Sequence, residues 1–71
     1  MQRQNVKSSN LASIAYDEEA KLLEIQFYDG GVYQYQNVDG NIYYDLMRAP
    51  SHGKFFDRNI KKGRFPFKKI V

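Results

Sequence analysis

Two tyrosines spaced by one residue, Tyr33 and Tyr35, and seven cations gathered into residues 54–71 are the side chains of this chain best equipped for chemistry. Rings two apart on a strand share a face, and such a pair can stack planar ligands such as nucleobases. Lysine and arginine beside rings neutralise phosphates. The cations are Lys54, Arg58, Lys61, Lys62, Arg64, Lys68 and Lys69, opposed only by Asp57, for a local net charge of +6. Residues 1–53 hold four basic and seven acidic side chains, a net −3, so the chain is electrically polarised. Interleaved with Phe65 and Phe67, the basic segment reads either as a polyanion-binding site or as a solvated tail that aids solubility. It carries no base-reading motif, so any affinity for nucleic acid is expected to be salt-sensitive and largely independent of sequence.

No other constellation reaches a reaction. His52 is the single histidine and there is no cysteine, which excludes the usual structural zinc sites and any disulfide framework. Ser51 and Asp57 near His52 read as a helix cap and a surface charge rather than as parts of a catalytic set. Asp17, Glu18 and Glu19 are adjacent, as in a solvated turn, whereas paired-carboxylate catalysis or calcium binding needs more widely spaced ligands. Gly30-Gly31 lacks the following helix and lysine of a phosphate-binding loop. The expectation is a non-enzyme with no metal and no cofactor.

The elements that must position these residues are short. At 71 residues the chain is one domain near the lower size limit for a self-sufficient core, and with 42% hydrophobic residues and 15% aromatics that core should be thin and aromatic-rich. No apolar run approaches the roughly 20 residues that cross a bilayer, and the N-terminus does not resemble a signal peptide, so a soluble, cytoplasmic protein is expected. Residues 12–16 alternate as a strand, with Ala12, Ile14 and Tyr16 against Ser13 and Ala15. A polar turn at 17–20 follows, then a clearer strand over 22–28 with Leu23, Ile25 and Phe27 on the core face.

The turn at Asp29-Gly30-Gly31 sets the register of the next strand, 32–37. A two-residue loop would place apolar and polar side chains on one face. A three-residue loop with a left-handed glycine pairs Tyr28 with Val32, Phe27 with Tyr33 and Ile25 with Tyr35, which directs Tyr33 and Tyr35 into the core rather than onto an open stacking surface. An exposed stacking surface would then use Tyr28, Tyr43, Tyr44 or Phe65. Asp39 is placed to cap a helix over 40–49, with Ile42, Leu46 and Ala49 at helical spacing; Pro50 ends it, and Ser51 caps a second helix to about Asn59 that returns Phe56 and Ile60 to the sheet. Gly63 and Pro66 suggest irregular chain thereafter, and residues 1–8 and 64–71 are expected to be loosely ordered ends.

With these pieces in order, the chain resembles the KTSC domain, found alone in small bacterial and phage proteins and at the C-terminus of some lysyl-tRNA synthetases. The resemblance runs from about Asn5 to Ile60. It rests on Ser8-Ser9, Ile14-Ala15-Tyr16-Asp17, Leu23-Glu24-Ile25-Gln26-Phe27, the central Tyr33-Gln34-Tyr35, Val38 with Ile42-Tyr43 and Leu46, Ala49-Pro50-Ser51-His52-Gly53, Phe55-Phe56 and Ile60. Asp39 stands where the family often has proline after the valine, and Pro50 separates Ala49 from Ser51; neither threatens the fold. The family has no established activity, and its occurrence in synthetases implies only the idea of RNA binding.

The fold expected is α+β: a three-stranded antiparallel β-meander covered on one face by two short helices, in the order β-β-β-α-α. The expected function is non-catalytic binding of nucleic acid, RNA above all, through the basic C-terminal segment. The alternative is a protein-interaction module using a sheet edge or the Tyr43-Tyr44 surface.

Overall fold

The computed structural model describes residues 3–63 and 65–71. Five strands form one antiparallel sheet in the order of the chain: β1 (Arg3–Asn5), β2 (Leu11–Asp17), β3 (Leu22–Phe27), β4 (Val32–Tyr35) and β5 (Phe67–Lys69). Between β4 and β5 run α1 (Gly40–Arg48) and α2 (His52–Phe56), the latter continuing into a wider π-helical turn, Asp57–Lys61. The α+β class is as expected, but the three-stranded sheet understates the molecule by its two edge strands. Their residues, Arg3-Gln4-Asn5 and Phe67-Lys68-Lys69, are all exposed. They are held by backbone pairing rather than burial, and a polar, basic composition is what an edge strand needs to discourage unwanted pairing.

Strand β2 starts one residue earlier than its alternation suggests. Leu11 pairs with Phe27 and Ser13 with Gln26, so a bulge at Ala12 lets both Leu11 and Ile14 enter the core, each fully buried. The four-residue link to β3 is shaped by Asp17, whose Oδ1 accepts from the backbone N–H groups of Glu19 (3.1 Å) and Ala20 (3.2 Å).

The β3–β4 hairpin has a three-residue loop, one step earlier than expected. Tyr28, Asp29 and Gly30 form it, Phe27 N–H donates to Gly31 O at 2.9 Å, and Gly30 takes the left-handed position at φ 95°. The strands therefore pair Ile25 with Tyr33 and Leu23 with Tyr35. Each pair is shifted by two residues from the expected one. A shift of two leaves every side chain on its face. Asp29 favours this loop because its Oδ1 accepts from Gly31 N–H at 2.8 Å.

One sheet face carries the core: Leu11, Ile14, Leu23, Ile25 and Tyr35 pack against Val38, Leu46, Phe56 and Ile60 from the helical layer. The opposite face is a polar ladder. Arg3 pairs with Glu24 and reaches Gln26; Ser13 Oγ donates to Gln26 at 2.9 Å and Gln34 Nε2 to Glu24 at 2.8 Å. These longer side chains shield Ser13 and Ala15, which are 1% and 2% exposed.

Helix α1 begins after Asp39 as expected, yet the Asp39 carboxylate makes no cap hydrogen bond. It turns instead to Lys21 Nζ at 3.1 Å. Ala49, preceding Pro50, is extended (ψ 141°), which ends the helix at Arg48. Ser51 caps α2 by accepting from Lys54 N–H at 3.3 Å. The π-helical turn closes through Lys62 N–H to Asp57 O at 3.3 Å, and Phe56 and Ile60 are buried, 2% and 1% exposed. No helix among the described residues is long and apolar enough to cross a membrane.

Candidate functional site

Beside the core, between the sheet and the helical layer, aromatic rings line a cavity of about 480 Å³. Tyr33 and Tyr35 from β4, Phe67 from β5, Phe27 from β3 and Phe56 from α2 line it, together with Asp29 of the hairpin loop and Lys61 of the π-helical turn. The rings hold one another. Phe27 meets Tyr33 and Phe56 edge-on, both with centroids 5.6 Å apart, and Tyr35 meets Phe56 in the same way at 5.4 Å. Such pairs contribute about 0.5 to 1.5 kcal/mol each beyond the area they bury, so the rings of the cavity floor brace one another. Phe67 stacks on Tyr35 at 5.4 Å and 28° while remaining 60% exposed, so its other face is open to a ligand.

The register explains this assembly. Tyr35 lies opposite Phe67 and Tyr33 opposite Lys69, which puts Lys69 on the ring-bearing face with its Nζ 6.0 Å from the Tyr33 ring centroid. Tyr35 is 5% exposed, whereas Tyr33 is half-buried. Burial first, and the neighbouring Tyr33 second, raise the pKa of Tyr35 above the ordinary tyrosine value of 10.0. Its hydroxyl therefore stays protonated throughout the neutral range.

The basic segment is divided by the fold. Lys61 lines the aromatic cavity, and Lys69 lies over the Tyr33 ring beside it. Lys54 and Arg58, one turn apart, line a second concavity of about 260 Å³ with Pro50, Phe55 and Asn59. Lys62 lies 3.8 Å from the Asp57 carboxylate, and Lys61 reaches the same group at 4.0 Å. Lys68 pairs with Gln34 and so projects to the polar face of the sheet, away from the rings. Arg64 lies outside the described residues.

The other tyrosines considered for stacking lie elsewhere. Tyr43 stacks on Tyr16 at 4.7 Å and 9°, Tyr44 beside it is 64% exposed, and the Tyr16 hydroxyl donates to Val38 O at 2.5 Å. Tyr28 is exposed at the hairpin tip, and Phe65 packs against the core.

Sequence reasoning did not gather Phe27, Asp29 and Phe56 around one cavity, because they come from three elements. The signal that existed was the alternation Phe67-Lys68-Lys69, which matches the period of Tyr33-Gln34-Tyr35 across a pairing of β4 and β5.

His52 and its neighbours hold the helical layer together. His52 Nδ1 lies 2.8 Å from Leu46 O, so the ring donates its Nδ1–H to a carbonyl at the end of α1. Gly53 packs against the turn before β2, where a Cβ would run into Asn10 Oδ1 and approach Ser8 Oγ at 3.2 Å. Ser8 Oγ in turn accepts from Leu11 N–H at 3.3 Å. Among the described residues no three carboxylate or imidazole side chains are grouped to hold a metal ion.

The KTSC domain model matches residues 7–65. The chain belongs to the KTSC family. Similar proteins include an uncharacterised protein of Stutzerimonas stutzeri, 33% identical over 70 residues and aligned over 99% of both chains. A lysine–tRNA ligase of Nostoc punctiforme is 34% identical over 64 residues; the alignment takes in 90% of this chain and 11% of the ligase. The crystal structure of a KTSC domain protein from Yersinia pestis is 47% identical and superposes with a TM-score of 0.92, covering 99% of this chain and 97% of that one. In this KTSC domain the Ser8, His52 and Gly53 positions have structural work, while the central Tyr33-Gln34-Tyr35 points its rings toward the cavity.

Proposed function

We propose that this KTSC domain is a non-catalytic module that binds RNA, with the aromatic cavity, its Lys61 and the neighbouring Lys69 as the centre of the interface. The observation that carries this reading is the meeting of open rings with Lys61 and Lys69 in one place. Stacking and phosphate neutralisation are the two interactions by which single-stranded nucleic acid is held without sequence recognition. Lys54, Arg58 and Lys62 continue the positive surface along α2 and the π-helical turn. The presence of a related segment within a lysine–tRNA ligase, an enzyme named for its RNA substrate, is in keeping with it.

The test is an NMR titration of the isotopically labelled protein with short mixed-sequence single-stranded and duplex RNAs at low and moderate salt. Shifts at Tyr33, Tyr35, Lys61, Phe67 and Lys69 that fade as salt rises are expected, and the double substitution K61Q/K69Q should weaken binding about tenfold or more. Binding that ignores both salt and these lysines would overturn the reading. It would favour a protein partner docked along a sheet edge, where β1 and β5 each leave one side unpaired by any other strand.

A further inference from the structure

We propose that the aromatic cavity is a site for a single guanine nucleotide, with Asp29 selecting the base; this rests on the nucleic-acid reading above. The key feature is a carboxylate in an otherwise aromatic and cationic cavity. Asp29 serves the hairpin loop through its Oδ1, and the same carboxylate brings hydrogen-bond acceptors to the lining of the cavity. A carboxylate offers acceptors alone, and the four bases differ in what they present to it. Guanine carries two adjacent donors on its Watson–Crick edge, the ring N1–H and the exocyclic amine. Adenine and cytosine each place an acceptor nitrogen next to their amine, and uracil flanks its one N–H with two carbonyls. Only guanine meets both oxygens of a carboxylate without an opposed lone pair.

Asp29 is also oriented. Its Oδ1 accepts the Gly31 N–H at 2.8 Å within the hairpin loop, and Gly30 at φ 95° fixes that loop, so the carboxylate is held by backbone rather than left on a free arm. Stacking of the base on Tyr33 or on the exposed face of Phe67 leaves its phosphate within the field of Lys61 and Lys69. A volume of about 480 Å³ lies in the range of small-ligand sites, roughly 300 to 1,000 Å³, and admits one nucleotide rather than a base pair. The Watson–Crick edge is free only in an unpaired residue, so the ligand is a guanine nucleotide either free or in single-stranded RNA.

The experiment titrates labelled protein with GMP, AMP, CMP and UMP, and with single-stranded pentanucleotides carrying one central G, A, C or U, following the ring resonances of Tyr33 and Tyr35. The same titrations are repeated on Asp29→Asn, which keeps the oxygen that accepts Gly31 N–H and replaces the other with a donor. Guanine ligands are expected to bind about fivefold or more tighter than the rest, with the preference abolished in Asp29→Asn. Equal affinity for all four bases, or an unchanged preference in Asp29→Asn, overturns the inference even where RNA binds in a salt-sensitive manner. GMP selectivity with no binding of the pentanucleotides identifies a free nucleotide as the ligand and overturns the RNA reading instead, while failure of every ligand overturns both.

Discussion

Gly53 shows how one residue can be required by something distant in sequence. It opens the first turn of α2, where glycine is a poor helix former, and its absent side chain admits Asn10 Oδ1 and Ser8 Oγ from the turn that launches β2. Helix propensity alone would favour alanine here. Packing opposes it, because an added methyl must displace the Asn10 side-chain amide, which breaks its hydrogen bond with Ser8 Oγ at a cost of about 1 kcal/mol, and must crowd Ser8 Oγ as well. Gly53→Ala is therefore expected to lower thermal stability despite its better propensity. In an Asn10→Ala background the obstructing oxygen is gone and the penalty should shrink, leaving a coupling of about 0.5 kcal/mol or more between the two positions, measured by denaturant unfolding of the four proteins. Strict additivity would show that the contact does not govern this position.

At the scale of elements, α2 illustrates why a five-residue helix exists at all. A helix this short is unstable alone. Ser51 Oγ accepts one backbone N–H of its first turn, His52 ties its start to Leu46 of α1, and Phe56 anchors its end in the core. Ser51→Ala is expected to cost about 1 kcal/mol, a fall of roughly 4 to 8 °C in Tm for a domain of this size, read by thermal unfolding. The Ser51 cap, Pro50 and the apolar periods of β2, β3 and α1 were legible because each is a local signal, whereas Asp39 marks the start of α1 but turns its carboxylate to Lys21. The hairpin register was legible only to within two residues, since parity fixes the face of a strand but the choice between Gly30 and Gly31 at the left-handed position rests on the Asp29 side chain. Strands β1 and β5 were not legible, being exposed and paired through their backbones, and the cavity was lost with β5 because Phe67 and Lys69 reach it only through that pairing.

At the scale of the whole molecule, the fold converts a charge count into a directional surface. The seven cations of residues 54–71 look like one tail in the sequence, with a net charge of +6 over the segment. The sheet separates them: Lys61 and Lys69 face the rings, Lys54 and Arg58 line the neighbouring concavity, and Lys68 projects from the polar face beside Gln34. An unstructured basic tail would contribute all its charges about equally to a polyanion. A surface contributes only those on its own side, and the logarithm of affinity for single-stranded RNA falls with the logarithm of salt by about 0.7 for each phosphate neutralised. Lys61→Gln and Lys69→Gln should therefore each flatten that slope by about 0.7, while Lys68→Gln leaves it unchanged. Measured by fluorescence anisotropy over a range of salt concentrations, equal effects at Lys68 and Lys69 would mean that the chain binds as a tail and that the register of β5 has no part in recognition. Unequal effects at these adjacent residues have a simple origin in the pleat, which sends consecutive side chains of a strand to opposite faces.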